Sequence, residues 1–338
     1  MGMDTTRSLS EGHGERRALN IASICQPVQP EVLEVEKRLE EVVKTAPRQM
    51  MEPLEHAVKN GGKRIRPALT LLAGKFYQYN LELLIPMAAG VELLHTATLI
   101  HDDTIDDAYL RRGKDSIKHR WGNSNAVLLG DYLFATSAGF VAETRNIRVI
   151  KLFAQTLMTI CTGEIEESIY PFNKSRELYF QTIGNKTASL FAAASESGAV
   201  LSEAPEDAVQ SLKDYGYNLG MSFQIVDDIL DFVGQKETLG KPVANDLSQG
   251  VFTLPVILLF ESLESDEAKR IKEIVEKDKS AGTKLIVEAV HSSSVLEECF
   301  RIAESFSSRA SSALKQIPRN TIYQSLADLA GYVTERKS

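Results

Sequence analysis

The stretch "LIHDDTIDDAYLRRG", Leu99 to Gly113, sets four aspartates within six positions and follows them with two arginines. Asp102 and Asp106 stand one helical turn apart and Asp103 adjoins the first, so on a helix all three carboxylates can reach one patch of space. Like charges at that spacing cost a helix about 0.2–0.5 kcal/mol per pair. Gly113 reads as the helix stop, which places the acids in the last turns, where the helix dipole is already negative. Such crowding calls for a cation. A second stretch, "QIVDDILDFVG", repeats the spacing with Asp227, Asp228 and Asp231. Two such helix ends facing each other would form a bowl of six carboxylates.

Acidic residues on a helix usually face solvent and do nothing more. Here both stretches follow strongly apolar runs, "ATLI" and "FQIV", and the pattern occurs twice. Hard carboxylate oxygens, with neither paired thiolates and histidines nor a calcium loop, point to Mg²⁺, with Mn²⁺ as a substitute. Mg²⁺ keeps waters and bridges protein carboxylates to substrate phosphates, so the expected ligand is a phosphate ester. Cations able to meet phosphate are present: Arg111 and Arg112 after the first acids, Lys63 and Arg66 in "GGKRIRP", Lys186 beside Thr187 in "GNKTASL", and Lys241 in "LGKPVANDLSQG". Arginine forks grip phosphate oxygens in pairs and lysines act as point charges. "GGK" is no Walker loop, because position 57 is Ala and Lys63 is followed by Arg.

The elements that must position these groups are helices. Apolar residues recur at three and four from "PEVLEVEKRLEEVVKT", with Pro30 in its first turn, through "MAAGVELLHTATLI" and "DAVQSLKDYGYNLGMSFQIVDDILDFV" to "SVLEECFRIAESFSSRASSALKQI", and clean period-two strands are absent. The expectation is one all-α domain of ten or more helices over residues 28–338, preceded by a flexible tail at 1–27. Lys and Arg number 38 against 46 Asp and Glu and are dispersed, which argues against a nucleic-acid surface. Three scattered cysteines without zinc spacing fit a reduced, cytoplasmic protein. No apolar run approaches the roughly 18 residues of a membrane span, and the start has no signal-peptide core; its formal myristoylation pattern reads as accidental.

In order along the chain, "GGKRIRP", "LLHTATLIHDDTIDDAYLRRG", "GNKTASLF", "FQIVDDILDFVG" and "GKPVANDLSQGVFTLP" resemble the trans-isoprenyl diphosphate synthases, or polyprenyl synthetases, over roughly residues 30 to 335. The resemblance implies a helical bundle of the isoprenoid synthase type, usually a homodimer, with the two aspartate motifs facing across a central cavity. It implies that isopentenyl diphosphate, entering without metal, is held by Lys63, Arg66, His95 and Arg112. An allylic diphosphate would be held through a cluster of about three Mg²⁺ ions on Asp102, Asp106 and Asp227, with Asp103, Asp228 and Asp231 as ligands or neighbours. Arg111, Lys186, Thr187, Gln224 and Lys241 would hold the same diphosphate, and Asp246 would orient water or Lys241. Ionisation of the allylic ester, attack by the second substrate's double bond and loss of a proton would extend the chain by one isoprene unit, without a protein nucleophile.

The two-residue spacing in "DDTID" suits longer-chain members, and Glu167 stands where relatives often carry Gln. Thr98, Ala97, Leu94 and Val91 precede Asp102 by four, five, eight and eleven residues, successive possible floors for a chain that gains about one isoprene unit per turn of roughly 5.4 Å, and small Ala97 and Thr98 leave a tunnel open to a product of about C30 to C50. Phe134 and Phe140 are candidates for a deeper floor. A shorter geranylgeranyl or farnesyl product is the alternative. A terpene cyclase is disfavoured by the second aspartate motif with Lys63 and Arg66, and a regulatory subunit of a two-component synthase by the presence of both motifs. The lipophilic product leaves room for peripheral membrane contact.

Overall fold

Polar side chains write the helix starts. Asn20, Asn80, Ser116, Asn146, Ser175 and Asn320 each accept from a backbone N–H two or three residues on, so the first turns of six helices are capped. The computed structural model describes residues 20–59, 62–170, 172, 175–233, 244–264, 266, 271, 274 and 278–336. Along these run α1 (Ile21–Ile24), α2 (Gln29–Thr45), α3 (Arg48–Lys59), α4 (Ile65–Gly74) and α5 (Leu81–Ile105). A hairpin of β1 (Leu110–Arg111) and β2 (Lys114–Asp115) follows, then α6 (Ile117–Trp121), α7 (Asn123–Glu143), α8 (Ile147–Ile169) and α9 (Arg176–Ile183). A wide π-type turn, Gly184–Ala188, leads into α10 (Ser189–Leu201) and α11 (Glu206–Val233). The last elements are α12 (Asn245–Gln249), α13 (Leu254–Ser262), α14 (Lys279–Ser292), α15 (Val295–Ala313) and α16 (Thr321–Glu335).

The all-α expectation holds. Helix α5 packs against α7 and α4, α10 fills the space between α4 and α11, and α11 lies against α15. Close approach depends on glycine: a Cβ at Gly198 would lie 2.2 Å from the Thr70 carbonyl on α4, and one at Gly216 2.5 Å from the Phe191 carbonyl on α10. The apolar interior forms two clusters, a larger one around α2–α8 and α10 and a smaller one around α13–α15; α11 contributes to both. Each aspartate stretch therefore sits at the end of a long helix anchored in its own core.

Three expectations need correction. The helical chain begins at Ile21, with Ile24, Cys25 and Val28 buried against the main core, so the tail does not reach residue 27; residues 1–19 lie outside the described residues. Gly113 does not stop a helix. Helix α5 ends at Ile105, and Arg112 and Gly113, at φ 51° and 75°, form the two-residue turn of the β1–β2 hairpin, which needs left-handed backbone at both positions. Finally, α5 and α7 are long and apolar enough on average to cross a membrane, although polar residues break each run. In α5 67% of the apolar window is buried inside the protein, against 33% in α7. The former is a core helix, and the latter leaves apolar surface open.

Candidate active site

On a helix, residues four apart share a face while the next residue is turned about 100° away. At the end of α5 this separates Asp103 from Asp102 and Asp106. Asp103 is buried, and Arg111 from β1 closes on it, its Nε donating to Oδ1 at 2.8 Å and its Nη2 pairing with the same oxygen. Burial raises the Asp103 pKa and Arg111 opposes the rise. The hairpin is tied down by the Ala108 N–H on the Asp103 carbonyl, 2.9 Å, and by the Ser116 hydroxyl on the Ala108 carbonyl, 2.6 Å. Asp103 thus holds the hairpin that carries Arg111 and Arg112.

Asp102 and Asp106 face another helix. Burial, reinforced by the nearby Glu164 carboxylate and opposed by Lys186 and Arg111, pushes Asp102 up to about 7. Burial likewise pushes Asp106 up to about 6, with Lys186 pulling it back and Glu164 and Glu167 adding to the rise. Lys186 projects from the π-type turn between α9 and α10 and pairs with Glu164 of α8 at 2.7 Å and with Glu167. Burial alone would lower its pKa; Glu167 and Glu164 outweigh that and raise it. Glu164 and Glu167 pair with this lysine, Asp102 and Asp106 lie in the same field, and the surplus negative charge on hard oxygens fits a divalent cation held by Asp102 and Asp106. Among the described residues no three acids, histidines or cysteines are already gathered as a metal cage.

The second stretch is built differently. Asp228 is 2% exposed and accepts from the Tyr179 hydroxyl at 2.6 Å and from Gln224 Nε2 at 2.8 Å. Burial, then Asp246, raises its pKa well above the ordinary carboxylate range. Gln224 in turn accepts from the Thr187 hydroxyl at 2.7 Å, so Thr187, Gln224, Asp228 and Tyr179 form one chain linking the π-type turn, α11 and α9. Asp231 is also buried; its Oδ2 accepts from the Asp246 backbone N–H at 3.3 Å and its carbonyl from Ala244 at 2.8 Å, which anchors the start of α12. Asp227 alone stays open, 42% exposed, and pairs with Arg336 at 2.6 Å. The six carboxylates do not form a bowl: Asp103, Asp228 and Asp231 are buried with internal partners, whereas Asp102, Asp106 and Asp227 keep some exposure. Lys241 lies outside the described residues.

The basic cluster gathers around His95, two turns before Asp102 on the same face of α5. Arg64, in the left-handed region at φ 51°, opens α4 and is held by Glu92 at 2.6 Å, by the Val58 carbonyl at 3.0 Å and by Glu36 at 3.4 Å. This anchored turn presents Lys63 with its Nζ 5.7 Å from the Tyr332 ring centre, and Arg66 with its guanidinium 4.4 Å over Phe191. Burial lowers Arg66 to about 10 and also lowers Arg112, and Glu92 opposes both shifts. Burial, followed by Arg66, Arg112 and Arg111, holds His95 well below its usual range, so it is neutral at pH 7. The cleft between α5, α3 and the hairpin is lined by His95, Arg111 and Arg112 together with Glu92 and Asp103. Arg66, His95 and Arg112 thus share one neighbourhood, with Lys63 on the turn that carries Arg66, and Arg111 links it to the acids at the end of α5.

Two sets of phosphate-seeking cations flanking acids at the end of a buried helix match what comparison finds. The profile of the polyprenyl synthetase family matches residues 47–292. The chain belongs to that family. Heptaprenyl diphosphate synthase component 2 of Geobacillus stearothermophilus is 40% identical over 306 residues, covering 89% of this chain and 94% of that one. All-trans-nonaprenyl-diphosphate synthase of Rhodobacter capsulatus is 32% identical, covering 93% and 97%. A polyprenyl synthase from Caulobacter crescentus, solved with calcium and isoprenyl diphosphate, superimposes with a TM-score of 0.90 at 32% identity over 96% of this chain and 100% of that one. A decaprenyl diphosphate synthase from Rhodobacter capsulatus gives 0.86 at 34%, over 94% and 100%. This polyprenyl synthetase is accordingly a trans-prenyl diphosphate synthase with medium- to long-chain relatives.

Sequence reasoning missed Glu92, Glu164, Tyr179 and Arg336. Glu92 had a visible signal, being the lone charge in the apolar run "MAAGVELLHTATLI", and Glu164 precedes Glu167 by one helical turn in "GEIEES". Tyr179 and Arg336 had none, because their partners are 49 and 113 residues away. Of the chain-length positions, Val91, Leu94 and Ala97 are fully buried, whereas Thr98 is half-buried and donates to the His95 carbonyl. Phe134 stacks edge-on against His101 and Phe140 lies under Arg38.

Proposed function

We propose that this synthase condenses isopentenyl diphosphate with an allylic diphosphate in a Mg²⁺-dependent reaction, for which Mn²⁺ substitutes, to give an all-trans product of about C30 to C50, as the turn spacing of Val91, Leu94, Ala97 and Thr98 suggests. The supporting observation is the distribution of charge along one face of α5: Asp102 and Asp106, at the helix end, lie in the field of Lys186, while two turns earlier neutral His95 lies in the field of Arg66 and Arg112. When bound, the metal would neutralise a leaving diphosphate and polarise its ester. Lys186 and Arg111 add fixed cations where that charge develops, and a preorganised site costs no reorganisation at that moment. Lys63, Arg66 and Arg112 orient the second diphosphate so that its double bond faces the ionising carbon.

Besides the apolar surface that α7 leaves open, α8 exposes Ile147, Ile150, Met158, Ile165 and Ile169, which share one helix face. A stripe of that length is uncommon on an isolated surface, and our reading is a homodimer built on it, in the cytoplasm. The relative named component 2 supports a second possibility, an unlike chain on the same face with the chemistry kept here. Incubating the purified protein alone with labelled isopentenyl diphosphate and an allylic starter, with and without EDTA, tests the reading. Metal-dependent polyprenyl product of about C30 to C50 is expected, shortened by Ala97→Tyr, which would fill one turn of the tunnel. No product without a second protein would favour the two-component alternative, and a native C15 or C20 product would overturn the tunnel argument.

A further inference from the structure

Arg336 stands one residue beyond α16, near the end of the chain, yet its side chain is only 5% exposed. Its guanidinium lies 3.9 Å over the ring of Phe223, its Nη2 donates to the Phe223 carbonyl at 2.7 Å, and the same nitrogen pairs with Asp227 at 2.6 Å. Phe223 and Asp227 are four apart on α11 and share a face. The Arg336 Nε is buried without a hydrogen-bond partner. A buried guanidinium with an orphaned donor is a poor choice for stability alone, because the unmade bond carries a full desolvation cost. The carboxylate it reaches is the one member of the second aspartate stretch that is not buried.

We infer that Arg336 is a resident counter-ion of Asp227 which an arriving divalent cation displaces, so that metal binding and docking of the C-terminal end of α16 oppose each other. The inference rests on reading Asp227 as a metal ligand. Arginine and a divalent ion both carry positive charge and both seek the same carboxylate, and in a partly buried site their mutual repulsion is weakly screened. Arg336 keeps Asp227 in place before metal is present and gives it up afterwards. Coupling is reciprocal: if Arg336 weakens metal binding by some factor, metal weakens Arg336 docking by the same factor. The displaced end also carries Tyr332, under Lys63, so its release would loosen one wall of the basic cluster.

The test is a titration of the substrate-free protein with Mn²⁺, free ion being read by electron paramagnetic resonance. Arg336→Met is expected to bind Mn²⁺ about tenfold more tightly than the native protein, within the usual range for coupled sites. In an Asp227→Asn background the difference should vanish. A chain ending at Glu335, which keeps all of α16, should behave like Arg336→Met and guards against a local packing defect. Independently of any variant, Mn²⁺ should speed hydrogen exchange in the native segment 330–336. Equal or weaker Mn²⁺ affinity in both variants, or slower exchange with Mn²⁺, would overturn the latch while leaving the metal reading intact. Failure of all forms to bind Mn²⁺ would overturn both.

Discussion

The two aspartate stretches repeat one spacing and adopt two designs. In the first, two carboxylates, Asp102 and Asp106, face a lysine already surrounded by acids, and one, Asp103, anchors the hairpin that carries Arg111 and Arg112. In the second, Asp227 alone is open, while Asp228 ties α11 to α9 through Tyr179 and Asp231 holds the start of α12. A repeated motif therefore records a repeated helix end, and what each carboxylate does is decided by which long-range partner reaches it. The first face stores electrostatic repulsion for a cation to relieve; the second is largely satisfied from within.

The largest expected effect separates open from engaged carboxylates. Asp102→Ala, Asp106→Ala or Asp227→Ala should each cut turnover by about a thousandfold or more, roughly 4 kcal/mol of transition-state stabilisation, with the fold intact by circular dichroism. Asp228→Asn should cost less than about tenfold in turnover, because its carboxylate is buried and engaged by Tyr179 and Gln224. Steady-state rates for the four variants check this, and equal losses at Asp228 and Asp102 would erase the distinction.

Stability should show the reverse order. Tyr179→Phe leaves the buried Asp228 short of a donor and should destabilise the protein by about 1–3 kcal/mol, read by urea unfolding. Asp102→Asn removes an acid whose ionised form is disfavoured by burial, so the metal-free protein should become more stable at pH 8 even as turnover is lost. A Tyr179→Phe protein as stable as the native one would show that the second face is not the structural member of the pair.

The basic cluster gives a smaller, substrate-resolved effect. Lys63→Ala or Arg66→Ala should raise the KM for isopentenyl diphosphate by about tenfold and leave the allylic KM nearly unchanged, whereas Lys186→Ala should act chiefly on kcat, since its cation faces the first acids. Exchange of those two phenotypes would reverse the assignment of substrates to the His95 cluster and the Lys186 group.

Much of this contrast is legible in the order of amino acids alone. Helical periodicity and acids set in apolar runs declare an all-α protein with paired helix ends, because both signals are local. The roles of neighbouring aspartates are legible in part, since a 100° turn between Asp102 and Asp103 already places them on different faces. Their partners are not. Arg111 is 8 residues from Asp103, within reach of a local argument, but Gly113, which reads as a helix stop, hides the hairpin that returns Arg111 to it. Glycine with positive φ serves helix ends and two-residue hairpins alike, and spacing does not choose between them. Tyr179 and Arg336 come from elements packed at long range and leave no periodic mark.

The finest test of the comparison is a pH dependence. Asp102 and Asp106 have folded-state pKa values of about 7 and about 6, above the value near 4 of an unfolded aspartate. Between those limits the folded, metal-free protein holds more protons than the unfolded chain, so unfolding free energy falls as pH rises. Their contribution to stability is present below about pH 4 and is lost as pH climbs through about 6 and then about 7. A divalent cation reverses the sign, because it favours the ionised acids and competes with protons for them. Adding Mg²⁺ should therefore raise the melting temperature by a few degrees at pH 8 and by clearly less at pH 6, on the order of 1 kcal/mol between the two. In Asp102→Asn that pH difference should shrink, since Asp106 alone remains to titrate in the window. In Tyr179→Phe it should persist at full size, because the second face is altered and the first is not. Scanning calorimetry on the three proteins at the two pH values decides it, and a Mg²⁺ effect independent of pH in the native protein would show that the open acids of α5 are not where the metal binds.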